Sequence, residues 1–298
     1  MSSLAVAAPK SELNISYVKS PFNLQLIVMK ERGILENRLA AKGVKVNWHD
    51  LNSGALQAQA LAGGSLDVAG VMNSTSIIIA NSQGNPVKVV AAVSRPTDVF
   101  AIVVPGNGVK SVRELKGKVI AGPKGTVLHQ LLVSALVKNG MKISDVQFVH
   151  MGIPEAAAAM RSGAADAALL AANFVMKGID AGDRVLVTAS GYVVPKLMMA
   201  TSDAFMKKYP SLLKEVLAAQ REAYDWINTH RDEAIALGAK VQGVSVSQAQ
   251  TLYAWSHLTD RFTPADIKSM EEDMTFLLEN DMIRKKVDVK RLFAPSSF

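Results

Sequence analysis

The chain has no cysteine among its 298 residues. That absence excludes disulfides, thiolate nucleophiles and cysteine metal sites together. It leaves the compartment open, because exported proteins without disulfides are common. Long apolar runs are also missing, and none reaches the ~20 residues that cross a bilayer as a helix. Aromatics make up only 6% of the chain, and no arginine-rich stretch is interleaved with them, so the usual mark of a nucleic-acid surface is lacking. The net charge of +7 is scattered rather than gathered into a block. A scattered excess suits an anionic small molecule or an anionic membrane surface better than a nucleic acid. Catalytic signatures are missing too: there is no G-x-S-x-G, H-E-x-x-H, P-loop lysine motif or G-x-G-x-x-G. The five histidines, at 49, 129, 150, 230 and 257, show no metal spacing. Neither a metal nor a cofactor is expected.

What is present is a phrase written twice. Ala60-Leu61-Ala62-Gly63-Gly64-Ser65-Leu66-Asp67-Val68-Ala69 returns as Ala159-Met160-Arg161-Ser162-Gly163-Ala164-Ala165-Asp166-Ala167-Ala168. Each copy reads as a helix end, a glycine stop, an aspartate and an apolar strand. Gly64 and Gly163 suit the left-handed residue that closes a helix. The strands Val68–Met72 and Ala167–Ala171 are apolar throughout, as strands buried on both faces are. Two similar α/β lobes follow from the repeat, and a ligand between them is the usual reason for such a pair to face each other. Asp67 and Asp166 precede their strands, so they sit at the sheet edge away from a ligand and are read as turn formers.

Strand and helix signals alternate over the first ~200 residues, which predicts a parallel-type sheet with helices on both faces. Strands are expected at Leu13–Lys19, Val44–Trp48, Val68–Met72, Val87–Val93, Val99–Val104, Val119–Ala121, Val146–His150, Ala167–Ala171 and Arg184–Val187. From Ser202 onward the pattern is helical, with Pro210 and Pro264 at helix starts. The expected organisation is one lobe of residues 1–93 and 190–298, the helical tail packed on it, and a second lobe of residues 94–189. Two chain crossings, near Val93–Arg95 and Thr188–Tyr192, would make a hinge.

In open α/β sheets ligands collect beyond the carboxyl ends of the strands. Residues there include Ser20, Phe22 and Asn23, then Ser53 and Gly54, then Asn73, Ser74 and Thr75, then Gly125, Thr126 and His129, and finally Asn173 and Phe174. Hydroxyls, amides and helix N-termini favour an anion. Taken singly, Ser53, Asn73, Ser74 and Thr126 also read as ordinary helix caps; their recurrence at several strand ends is the signal. Lys124-Gly125-Thr126 has only the look of a phosphate loop and counts as an anion-receptive helix start. His129 either lines the cleft or decorates a helix face. Arg95 either grips an acidic ligand through two parallel bonds or lies solvated at the hinge. Phe22, Phe174 and Tyr192 are candidate walls, though aromatics are more often core.

These features resemble the periplasmic substrate-binding proteins of ABC importers in the sulfonate, nitrate and taurine group, which includes binders of thiamine-precursor pyrimidines. Ala60–Asp67 resembles the group's aLaaGxiD segment. Gly84-Asn85-Pro86-Val87-Lys88-Val89-Val90 resembles its G-x-P-v-k-v-v strand entry. Val112–Val119 resembles its s-v-x-D-L-K-G-K-x-V segment, with Lys124-Gly125-Thr126 and His129 following. The resemblance covers about residues 13–205. It implies an α/β periplasmic-binding-protein fold of type II-like form that closes on a small ligand as a monomer and delivers it to a membrane permease. It implies anion recognition near Ser53, Asn73-Ser74 and Gly125-Thr126. Where the sulfonate binders carry a W-D-P-Y-like run, this chain has Ala171-Ala172-Asn173-Phe174, which counts against an ammonium-bearing ligand such as taurine. Leu4-Ala5-Val6-Ala7-Ala8-Pro9 looks like the tail of a signal peptide cleaved before or near Ala7, consistent with a periplasmic location. The alternative is an enzyme on the same fold, a lyase or hydrolase of a small aromatic or sulfur compound; desulfinases of this kind use a cysteine that this chain lacks.

Overall fold

The computed structural model describes residues 10–295; the leader-like segment at residues 4–9 lies outside them. β1 (Glu12–Ser16), β2 (Lys45–His49), β3 (Val68–Asn73) and β4 (Lys88–Ser94) are interleaved with α1 (Leu24–Glu31), α2 (Ile34–Ala40), α3 (Gly54–Ala62) and α4 (Ser74–Ser82). β5 (Phe100–Val104), β6 (Val119–Gly122), β7 (Gln147–His150), β8 (Ala167–Ala171) and β9 (Arg184–Thr188) follow. Among these lie α5 (Val127–Lys138), α6 (Ile153–Arg161) and α7 (Asn173–Asp180). β10 (Leu197–Thr201) then leads into α8 (Asp203–Lys208), α9 (Pro210–Thr229), α10 (Arg231–Gln242), α11 (Val246–Ser256) and α12 (Pro264–Glu279).

The strands form two five-stranded sheets, ordered β2-β1-β3-β10-β4 and β7-β6-β8-β5-β9. This is one pattern used twice. The duplicated phrase occupies the same place in each copy. Asp67 accepts the Asn14 amide at 2.8 Å and Asp166 accepts the Val119 amide at 2.9 Å. Each aspartate therefore staples the start of its strand to the neighbouring strand. Gly64 and Gly163 both have left-handed backbones, with φ of 72° and 78°.

Both sheets are mixed, where alternation alone predicts parallel ones. β10 runs antiparallel to β3 and β4, and β5 antiparallel to β8 and β9. Each reversed strand is the first formed after the chain leaves the other sheet. β5 starts with Phe100 opposite Ala171, at the carboxyl end of β8, and β10 starts with Leu197 opposite Asn73, at the carboxyl end of β3. A chain that crosses directly between facing carboxyl edges must enter against the direction of its new neighbours. The short crossings, residues 95–99 and 189–196, thus place the two carboxyl edges face to face.

β5 and β8 are buried along their whole lengths. In the tail, α9 packs on α1 and α2, with Arg38 reaching Glu215 at 3.1 Å and Glu222 at 2.9 Å. α12 buries Met270, Met274 and Leu277 in the cluster that holds Ile77 and Ile78 of α4. Three elements escape the sequence reading. α2 starts from the left-handed Gly33 (φ 63°), a residue type that more often ends a helix than begins one. α7 and β10 were not anticipated; Leu197-Met198-Met199-Ala200-Thr201 has neither alternation nor more than one β-branched residue to mark a strand. No helix among the described residues is long and apolar enough to cross a membrane.

Candidate functional site

Three helix starts from the two sheets meet where the carboxyl edges face each other. Ser53 caps α3, Asn73 caps α4 and Thr126 caps α5, each accepting the amide of the third helical residue. Gly54 lies so close to α4 that a Cβ on it would stand 2.4 Å from Ser76 Cβ. Ser76 Oγ in turn donates to the Gly125 carbonyl at 3.0 Å, crossing from one sheet's helices to the other's. Gly125 is left-handed (φ 72°), which lets the backbone turn into α5. The positive ends of these helix dipoles are therefore gathered in one place.

The polar side chains here divide sharply. Ser74 is wholly buried at the first position of α4, and its Oγ has no protein partner. Asn23 donates through Nδ2 to the Val18 carbonyl at 2.7 Å, leaving Oδ1 buried and unpartnered. Asn173 donates across the sheets to the Gln242 carbonyl at 3.4 Å, and its Oδ1 is likewise unpartnered. Ser20 Oγ completes the set. Ala172, immediately before Asn173, holds a positive φ of 47°, a strain that non-glycine residues rarely carry.

Other candidates are engaged elsewhere. Arg95 does form a two-point carboxylate contact, but with Asp266 of α12, at 2.6 Å from both Nε and Nη2. That guanidinium is partly exposed, but its carboxylate partner comes from within the chain rather than from a ligand. Burial alone would raise the Asp266 carboxyl, but Arg95 and Thr263 hold it below its ordinary value. Thr75 Oγ1 donates to Gln130 of α5 at 2.5 Å. The Phe22 ring packs against α10, where a Cβ on Gly238 would meet it at 2.5 Å. Phe174 is half-buried against the apolar cluster of the second sheet, with the Lys177 ammonium 6.0 Å above its ring. Tyr192 accepts from Ser134 through its carbonyl and lies near Lys138. It therefore flanks the far half of α5, some 12–18 Å from the helix start at 1.5 Å per residue.

His129 is buried and stacks on Phe148 with centroids 4.8 Å apart. Its Nδ1 accepts the Gly125 amide at 3.5 Å, while His150 Nδ1 accepts the Lys124 amide at 3.0 Å. Burial, aided by Lys124 and His150, lowers the His129 pKa to about 4. At neutral pH it therefore offers no positive charge.

Sequence reasoning missed a second polar cluster beside the site. Gln130 Nε2 donates to Asp273 Oδ1 of α12 at 2.7 Å. Lys196, 1% exposed in the second crossing, reaches Ser269 Oγ and the Val194 carbonyl at 2.8 Å and Asp273 Oδ2 at 3.5 Å. Burial pushes the Asp273 carboxyl up and the Lys196 ammonium down, each opposed by the other's charge. Gln130 sits next to His129 in a helix start already under suspicion, whereas Asp273 is hidden in an ordinary amphipathic tail helix. A concavity of about 700 Å³ near Lys110, Lys118 and Asp166 lies at the opposite edge of the second sheet, before β6 and β8 begin. Among the described residues no His, Cys, Asp and Glu cluster is arranged to hold a metal.

The family described as NMT1/THI5 like matches residues 36–234. A protein of Escherichia coli K12 named for binding aliphatic sulfonates is 27% identical over 99% of this chain and 93% of its own length. The taurine-binding periplasmic protein of the same organism is 29% identical over 58% of this chain and 54% of its own length. Among solved structures, the alkanesulfonate-binding protein SsuA of Xanthomonas axonopodis pv. citri, bound to MOPS, aligns with a TM-score of 0.85 at 22% identity, covering 97% of this chain and 99% of that one. SsuA of Escherichia coli aligns at 0.79 and 25% identity, covering 97% and 94%. The desulfurization enzyme DSZB has the same fold, with a TM-score of 0.68 at 15% identity over 96% of this chain and 97% of that one. The resemblance read from the repeat and the strand-entry motifs is borne out, and with the family match spanning well over half its length, the chain belongs to the NMT1/THI5-like family.

Proposed function

We propose that this protein is an extracytoplasmic solute-binding protein that captures a small organic anion, sulfonate-like in chemistry, and presents it to the permease of an ABC importer. One observation carries the reading. Among the described residues five buried side-chain polar atoms lack a partner, and four of them belong to Ser20, Asn23, Ser74 and Asn173, each in the segment that leads from a strand's carboxyl end into the next helix. Leaving a buried polar atom unpaired costs about 1–3 kcal/mol. A folded chain concentrates that cost where something outside the chain completes the bonds. Hydroxyls and three converging helix starts suit an anion's oxygens, while the Asn carbonyls suit donors elsewhere on the same molecule.

In this reading the described parts of residues 1–93 and 190–298 form one jaw and residues 94–189 the other, with the crossings as hinge. The ligand bridges the jaws and shifts the population toward the closed form, which the permease recognises. Binding by relatives named for sulfonates and taurine supports the ligand class, and periplasmic relatives support export. The fold shared with DSZB leaves the enzyme reading in view, but the chain has no cysteine and His129 is stacked and hydrogen-bonded in a structural role.

The test is a melting-temperature screen against alkanesulfonates, MOPS, taurine, nitrate, carboxylates and pyrimidines, with mass spectrometry of each mixture. A ligand at ~100 times its dissociation constant adds about 2.7 kcal/mol, which raises the melting temperature by several degrees. No shift with any member defeats the proposal, and conversion of a member to product favours an enzyme.

A further inference from the structure

A chain of buried polar contacts runs from the binding edge to the hinge, and none of its bonds involves the four unpartnered atoms. Thr75, at the second position of α4, donates to Gln130 Oε1 on α5. Gln130 Nε2 donates to Asp273 on α12. Asp273 faces Lys196, which sits in the second crossing and also holds Ser269. Thr75, Gln130 and Lys196 are each no more than 2% exposed, and Asp273 is 8% exposed. Among these groups α5 alone belongs to the second sheet's helices; α4, α12 and β10 all pack with the first sheet.

The orientation of this chain is fixed by chemistry. The Asp273 oxygens accept from Gln130 Nε2 and face the Lys196 ammonium. Gln130 must turn its NH2 toward Asp273, so its carbonyl faces Thr75, and Thr75 must donate. The amide is held at both ends, and it joins the two sheets only while α4 and α5 are apposed. Opening the jaws strips Gln130 from both Thr75 and Asp273.

We infer that Gln130 is a positioning residue for binding, a latch that holds the two jaws in the closed register by bonding α5 of one jaw to both Thr75 and the Asp273 of the Lys196–Asp273 pair on the other. This rests on the solute-binding reading. Gln130 touches no ligand in this scheme; it lengthens the life of the closed form. Thr75, which the sequence places among the strand-end candidates, serves the latch instead.

The chain's lack of cysteine makes the test clean. Spin labels at Lys116→Cys and Lys214→Cys, both exposed and on opposite jaws, report the inter-jaw distance. Gln130→Leu removes both inter-jaw bonds, and Thr75→Val removes only the one to α4, should the first variant fold poorly. The probe is whichever compound of the screen raises the melting temperature, with ethanesulfonate tried first. The latch predicts that both variants release it roughly 10-fold or more faster, as expected for lost buried hydrogen bonds, with little change in association rate. It also predicts a larger open fraction at saturation, and a double variant no worse than Gln130→Leu alone. Equal release and equal closure in the variants overturn the latch while the binding reading stands. Should no compound bind the parent protein, the binding reading falls, and the ligand-free distances still decide: a broader distribution in Gln130→Leu supports the latch, and an unchanged one refutes it.

Discussion

Acidification should unmask the buried His129. In the unfolded chain a histidine titrates near 6.5; in the fold, burial with Lys124 and His150 nearby lowers it to about 4. Between those values the unfolded chain holds a proton that the folded chain refuses, so stability rises with pH across that window. The contribution is fully present above about pH 6.5 and is lost as pH falls toward about 4. At about 1.36 kcal/mol per pH unit the whole span is roughly 3 kcal/mol. The side chain is largely buried, so solvent screening removes little of it. Urea unfolding followed by circular dichroism at about pH 7 and about pH 4.5 measures the loss, and His129→Gln provides the reference. The variant is less stable overall, having lost the stack on Phe148, but it lacks this proton. The parent should lose about 2 kcal/mol more than the variant between the two conditions. Identical losses, or a His129 resonance titrating near 6.5, would refute the reasoning. The same neutrality means that anion affinity should not fall between about pH 6 and pH 8 through this residue.

Ser74→Ala should raise the stability of the ligand-free protein by up to about 1–3 kcal/mol while weakening ligand binding, measured by thermal melts and calorimetry; a loss of both would assign the hydroxyl a structural role. Arg95→Ala strands the buried Asp266 carboxylate and should cost about 2–3 kcal/mol, the partly exposed arginine making it less than a fully buried pair. Asn73→Ala should cost about 1 kcal/mol through the lost cap of α4, read as a lower urea midpoint with unchanged slope. Gly54→Ala drives a methyl into Ser76 and should cost about 1–3 kcal/mol and open the α3–α4 contact; a neutral result would mean the two helix starts are not tightly apposed.

Much of the architecture was legible because it rests on local rules. Glycine-bounded apolar runs mark strands buried on both faces, and the duplicated phrase marks a duplicated unit, down to the equivalent bonds of Asp67 and Asp166. The rule of carboxyl ends located Ser20, Asn23, Ser74 and Asn173 without any view of their packing. Arg95, read from its place at the hinge, and Tyr192, read as an aromatic wall, fared worse, because their partners Asp266 and Ser134 lie far away in sequence. Whether a polar side chain caps a helix or stands free depends on its position and rotamer, so Asn73 caps α4 through Oδ1 while the adjacent Ser74 hydroxyl has no protein partner. β10 was hidden because its strand character comes from insertion between β3 and β4, and Asp273 because its meaning appears only once α12 folds back on the second crossing.

The most direct measurement is a crystal structure of the protein grown with the compound that most raises its melting temperature. The account predicts that molecule between the two sheets, its anionic group at the starts of α3, α4 and α5 and polar atoms within about 3.5 Å of Ser74 and Asn173. Density in the concavity beside Lys110 and Lys118, or a cleft that stays filled by side chains alone, would contradict it.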